Sequence, residues 1–213
     1  NVAIINAMAH VIATEKLMNK KFIESRCEDE AYNYWLDFVS EEDFIFFSDP
    51  DEIIRPELLI NFNLKKKYGI FLQNCFNYKL NLFNPHESPW EGKRVKKKKN
   101  LKSIDFMRQK ILVKNLKYNF LRIDKEKSIE LFHNAGWHFN NLMSPKDISL
   151  KLKTFAHKEF SGREFSAEEI IKYKIEKKID LFGRGHNYKV VELNEKFPSY
   201  ILNNLEKFKS YIV

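Results

Sequence analysis

Six glycines and six prolines are few for a chain of 213 residues, and no stretch rich in Pro, Gly or Ser separates one part from another. That scarcity argues against low-complexity linkers and repeat arrays, and no internal repeat is visible. Cysteine is scarcer still, with only Cys27 and Cys75. Two thiols build neither a disulfide framework nor a CxxC metal site, so a reducing compartment is the default expectation, with a single Cys27–Cys75 pairing as the alternative. Long apolar runs are missing too. The longest uncharged stretch near the start, AIINAMAHVIAT at 3–14, is too short to span a bilayer and lacks the basic flank and cleavage site of a signal peptide. None of the six histidines has the HExxH spacing of a zinc helix. Neither an RNP aromatic signature nor a reading helix accompanies the basic residues, so nucleic acid is not the expected partner.

What the chain does have is apolar mass and positive charge. Hydrophobic residues make up 44% and aromatics 15%, including 19 phenylalanines, which excludes a disordered chain and supplies a sizeable core. The net charge of +8 is concentrated in Lys65–Lys67 and in VKKKKNLK at 95–102. Such a field favours phosphate-bearing partners such as a nucleotide or an anionic membrane surface. A solvated, lysine-rich loop is the plain alternative.

Periodicity predicts mixed α and β structure. EDEAYNYWLDFV at 28–39 has helical spacing in Ala31, Trp35 and Phe38. FIFF at 44–47 reads as a buried strand, and Pro56 as the first turn of a helix through ELLINFNLKKK. Alternation within 69–83 predicts strands with Tyr78, Leu80 and Leu82 on one face, and YNFLRI at 118–123 reads as a further strand. Residues 84–103, with two prolines and the basic cluster, read as a long loop, either a lid near the donor or an acidic acceptor or a solvated surface loop with no role. Ser144-Pro145 begins a helix lined by Ile148, Leu152 and Phe155, and Ser166-x-x-Glu169 is a capping box opening another. After Pro198, the stripe Ile201, Leu205, Phe208 and Ile212 predicts one amphipathic helix to the end.

The chemistry begins where FIFF runs into SDPDE. A strand ending in Asp-x-Asp sets Asp49 and Asp51 at the carboxyl edge of a sheet, and alternation would point both to one side. Two hard oxygen donors suit Mg²⁺ or Mn²⁺, which bind through one or two carboxylates plus substrate phosphates. An acidic turn after a strand is the bland reading of the same residues. Further on, His133, His138 and His157 share the segment 133–161 with Trp137, and His157 and Glu159 offer an imidazole and a carboxylate at a helix end.

Five stretches occur in order: DPDEIIRPELL at 49–59, WEGKR at 90–94, NAGWHF at 134–139, KLKTFAHKEF at 151–160 and DLF at 180–182. Together they resemble glycosyltransferase family 17, the β-1,4-N-acetylglucosaminyltransferases, from about residue 28 to the end. The resemblance implies one catalytic domain over 1–213 with a GT-A-like sheet flanked by helices. It implies a UDP-GlcNAc donor, a saccharide acceptor, Mn²⁺ or Mg²⁺, and inversion at the anomeric carbon. On that reading Asp49, Asp51 and His157 hold the metal. Asp49, Glu52, Trp90, Arg108, Trp137 and His138 bind substrate, and Glu159, with Asp180 second, is the base that takes the acceptor's proton.

Three departures accompany the match. Ile54 stands where the family usually has proline, and Asn140 follows GWHF where Ser or Thr is usual. Residues 1–25 match nothing in the family, so the N-terminal nucleotide-binding half is expected to be shortened or replaced. The expected location is cytoplasmic, peripheral to a membrane, or the Golgi lumen if an N-terminal anchor has been removed. The rival reading is a non-catalytic basic module that binds polyanions on a degenerate transferase scaffold.

Overall fold

The computed structural model describes residues 19–26, 28–33, 44–97, 113–154 and 160–213, where seven strands follow one another between a first helix and a mostly helical C-terminal part. The strands are β1 (Phe44–Phe47), β2 (Glu52–Ile54), β3 (Tyr68–Asn77), β4 (Leu82–Phe83), β5 (Trp90–Lys97), β6 (Ile129–Phe132), β7 (Gly136–Asn140) and β8 (Lys189–Val190). The helices are α1 (Lys20–Arg26), α2 (Pro145–Thr154), α3 (Arg163–Ser166), α4 (Glu168–Lys177), α5 (Ser199–Leu202) and α6 (Leu205–Phe208). The fold is mixed α/β, as expected. Its described residues divide into two compact units, one drawn from Asn1–Ser48, Asn63–Ile70 and Lys93–Leu131, the other from Asp49–Phe62, Phe71–Gly92 and Phe132–Val213.

In the first unit, β1 pairs antiparallel with the second half of β5, Phe44 facing Lys97 and Phe47 facing Arg94. Only Ile45 of β1 is buried, so the strand is half-covered rather than fully enclosed. The expected loop 84–103 is corrected over 90–97, where alternation hidden by lysines builds a strand. Its Lys96 is buried, with the ammonium hydrogen-bonded to the Tyr68 hydroxyl and lying 4.2 Å from that ring's centre. The expected strand at 118–123 is a run of turns instead, closed by Arg122 N–H on Asn119 C=O and Lys125 N–H on Arg122 C=O. Of the expected helix over 28–39, residues 29–33 are helical and the remainder lies outside the described residues.

The second unit is built around β7. It pairs antiparallel with β2 and parallel with β3, and β3 pairs with β4, which pairs with β8. Phe76, Leu80, Trp137, Phe139, Phe197 and Ile201 form one core cluster, with Phe208 and Ile212 packed against it. Tyr78, Leu82, Ile148, Leu152, Ile171, Leu181 and Tyr188 form another. Each large side chain so enclosed contributes about 1.5–3 kcal/mol relative to exposure.

Local signals explain where the elements start and stop. Ser144 caps α2 by accepting the Asp147 N–H at 3.2 Å while donating its hydroxyl to the Asp147 carboxylate at 2.6 Å, and Pro145 needs no N–H there. The capping box at Ser166 does not form. Ser166 ends α3 and donates to Ser161 C=O, and Ala167 precedes α4 without a side-chain cap. Pro56 opens one 3-10 turn, Pro56–Leu59, and the expected helix stops there, with Asn61 in the left-handed region (φ 52°). The strand expected through Tyr78 ends at Asn77, because Tyr78 also turns left-handed (φ 66°). Asn203 and Asn204 break the C-terminal stripe into α5 and α6, leaving Leu205 exposed.

Candidate functional site

Two of the motifs that stood far apart in sequence meet through strand register. β2 begins at Glu52 and runs against β7 with Glu52 opposite His138 and Ile54 opposite Gly136. Gly136 makes the approach feasible: its φ is +144°, and a Cβ there would lie 1.9 Å from the carbonyl oxygen of Ile53. Alternation along β7 then sends His138 to one face and Trp137 with Phe139 to the other.

Four side chains gather on the His138 face. The Asp51 carboxylate lies 3.4 Å from His138 Nε2. The Trp90 indole N–H donates to Glu52 Oε1 at 2.9 Å, and the backbone N–H of Asp49 donates to Glu52 Oε2 at 3.2 Å. The Trp90 and His138 rings lie 4.6 Å apart at 31°, so the indole both binds the carboxylate and packs on the imidazole. Adjacent carboxylates are driven apart in acidity. Burial pushes Glu52 above the ordinary glutamate range, with the Trp90 bond opposing it only in part. Burial also acts to raise Asp51, but the hydrogen bond and charge of His138 and the nearby Lys151 outweigh it and hold its carboxyl below the usual value. Asp51 keeps about a third of its side-chain surface exposed and Asp49 is exposed, so both can be reached from solvent.

Behind His138 the polar contacts continue. Cys75 Sγ is 3.7 Å from His138 Nδ1 and 3.8 Å from Glu87 Oε2. Glu87 also accepts from Asn84 Nδ2 at 2.8 Å and from Arg184 Nη1 at 2.5 Å. Arg184 reaches on to Asp180 at 2.6 Å, and Tyr188 donates its hydroxyl to the same Asp180 oxygen at 3.2 Å. Cys75, His138 and Asp51 thus have the order of a nucleophile, base and orienting acid. Access decides against that chemistry. Cys75 has no exposed surface, and burial, with Glu87 beside it, pushes the thiol far above its ordinary value, so it stays protonated and enclosed.

The expected site residues fall into three groups. Asp51, Glu52, Trp90 and His138 are brought together, with Asp49 one turn away through its backbone. Glu52 N–H donates to Asp49 C=O at 3.2 Å, so 49–52 is a turn and the alternation expected of Asp49 and Asp51 does not apply. Trp137 is corrected: it is buried in the core cluster, with the Arg55 guanidinium 4.4 Å over its ring. Asp180 is buried and its carboxylate is fully committed. Oδ1 accepts from Arg184 and Tyr188, and Oδ2 from the N–H groups of Phe182 and Arg184 at 2.9 and 3.0 Å. Burial would raise its pKa, but the Arg184 bonds win and hold it low, as befits an anchor for the 180–184 turn. Arg108, His157 and Glu159 lie outside the described residues.

Cys75, Glu87 and Arg184 escaped the sequence reading. The one available signal was FGRG at 182–185, where Gly183 and Gly185 both have positive φ (70° and 75°) and aim the arginine between them. Compared with known proteins, the chain matches no family model, no curated protein and no solved structure. No group of three or more His, Cys, Asp and Glu placed to hold a metal occurs among the described residues, and no helix among them is long and apolar enough to cross a membrane. A cavity of about 440 Å³ opens elsewhere, lined by Tyr78, Met143, Pro145, Ile175 and Tyr211 among others, and includes none of the four gathered residues.

Proposed function

We propose that the chain is a metal-assisted, inverting glycosyltransferase of GT-A-like fold that moves N-acetylglucosamine from UDP-GlcNAc to a saccharide hydroxyl. The observation that carries the reading is the convergence of DPDE, the tryptophan of WEGKR and the histidine of GWHF on one face of β7. Three of the stretches on which the family resemblance rests thereby supply side chains to one place.

The donor set suits a hard cation only in part. Asp51 and Asp49 offer oxygens, but two carboxylates alone leave most of the coordination to water and to the donor's phosphates, which is how Mg²⁺ and Mn²⁺ commonly bind. Bound there, the cation would neutralise the charge that develops on the leaving diphosphate. The chain's own part is to hold that turn still. His138 lies against the Asp51 carboxylate, Trp90 and the Asp49 N–H hold Glu52, and the tilted Trp90 ring packs on His138. Asp180 is no base, since its oxygens are taken; Glu159 remains the proposed base, on the resemblance alone.

The rival reading, a basic module that binds polyanions, draws on the net charge of +8 and needs no divalent ion. Release of UDP from UDP-GlcNAc, with a panel of saccharide acceptors and Mn²⁺, separates the two. Transfer that Asp51→Asn abolishes without unfolding the protein supports the enzyme. Charge-dependent polyanion binding, indifferent to Mn²⁺ and without transfer, supports the module.

A further inference from the structure

Phe120, Leu121 and Ile123 are 81, 69 and 95% exposed, three large apolar side chains within four residues. They are not on a loose strand end. Asn119 holds the turn by accepting the Arg122 N–H at its carbonyl and the Leu121 N–H at its side chain, and Lys125 N–H closes the next turn on Arg122 C=O. Arg122 lies 5.4 Å over the Tyr118 ring, and the Lys125 ammonium 5.9 Å from the same ring. The turn is thus built to present its apolar residues outward.

The surroundings are basic. Lys65–Lys67 run beside the base of the turn, where Lys65 N–H donates to Glu130 at 2.7 Å, Lys67 N–H to Ser128 at 3.1 Å and the Lys66 ammonium to Ile129 C=O at 3.0 Å. With Lys117, Arg122, Lys125 and Lys127, seven cations face three acids in the segments 65–67 and 117–130. Asp124 is shared between Arg122 and Lys125, at 2.7 and 3.4 Å, so pairing does not cancel the excess. Clustered apolar side chains beside a surplus of cations match the chemistry of an anionic bilayer surface, where the apolar groups enter the acyl boundary and the cations meet lipid phosphates and carboxylates. A protein partner would have to supply both an apolar pocket and a surrounding acidic rim.

We infer that the turn at 118–127, with Lys65–Lys67 beside it, is a docking surface for anionic lipid bilayers. It stands apart from the proposed transfer chemistry and does not depend on it. The test is sedimentation of the full chain with phosphatidylcholine vesicles, with and without about one-third phosphatidylserine. Binding should require phosphatidylserine and weaken as salt rises. Each apolar side chain removed should weaken it about tenfold, so F120S/L121S/I123S binds about a thousandfold less while its thermal midpoint is unchanged. Replacing Lys65–Lys67 with serine should leave binding weaker and less sensitive to salt. Failure to sediment with anionic vesicles at low salt overturns the inference, as does undiminished binding by the triple variant. Self-association that the triple variant abolishes, without vesicle binding, also overturns it by making the face a contact between copies.

Discussion

Asp180→Asn separates an anchoring carboxylate from a catalytic one. The substitution keeps the shape but turns one acceptor oxygen into a donor. If the new amide nitrogen takes the Oδ2 position, it faces the N–H groups of Phe182 and Arg184; at the Oδ1 position it faces the Arg184 guanidinium and the Tyr188 hydroxyl. Either way at least two good hydrogen bonds are lost in a site where the Asp180 side chain is only 2% exposed. Hydrogen bonds to charged groups contribute about 1.5–3 kcal/mol each. Arg184 keeps 40% of its side-chain surface in solvent, so its share is discounted and a net loss of about 3 kcal/mol is expected. Urea unfolding at neutral pH reads it as a lowered midpoint with an unchanged slope. The pH dependence carries a sign. Because the folded pKa is depressed, the stabilisation is whole above the unfolded value of about 3.9 and drains away as pH falls below it, so wild type and variant should converge in acid. A loss under about 1 kcal/mol would refute the anchoring account. So would a stable variant without transfer activity, which would return Asp180 to the chemistry.

Two further outcomes follow from the same geometry. Gly136→Ala should destabilise the fold by about 3 kcal/mol or more, because its Cβ cannot share space with the Ile53 carbonyl and alanine resists positive φ; an unfolding midpoint equal to wild type would contradict the β2–β7 register. In a Cys27→Ser background, Cys75 should resist a thiol-reactive disulfide reagent in native buffer at mildly alkaline pH and react at once in urea, since it is enclosed and its thiol is held protonated. Rapid labelling of the native protein would reopen the nucleophile reading.

The sequence was most legible where local chemistry decides the outcome. FIFF is a strand and Ser144-Pro145 starts a helix because four apolar residues and a cap with a first-turn proline act over a few residues. Charge misled the reading of 90–97: WEGKRVKK looked like a loop, yet Lys96 is enclosed against Tyr68, a contact that no local pattern announces. Apolar content misled it at 118–123, where the residues point to solvent. Tyr78 and Asn61 ended elements early by entering the left-handed region, a choice set by tertiary contacts rather than by residue type. At the candidate site, motif order named Asp51, Glu52, Trp90 and His138, which the fold brings together. Motif order was not enough for Glu87 and Arg184, whose pairing spans 97 residues of sequence. Nor could it foresee that alternation on β7 would turn Trp137 away from His138.

Calorimetric titration of UDP-GlcNAc into the full chain with and without Mn²⁺ probes the proposed metal and donor site at Asp51. Saturable binding should require Mn²⁺ and disappear in Asp51→Asn, whose unfolding free energy should stay within about 1 kcal/mol of wild type because the side chain is partly exposed and its contact to His138 is long. Donor binding that ignores the metal, or that Asp51→Asn retains in full, would contradict that assignment.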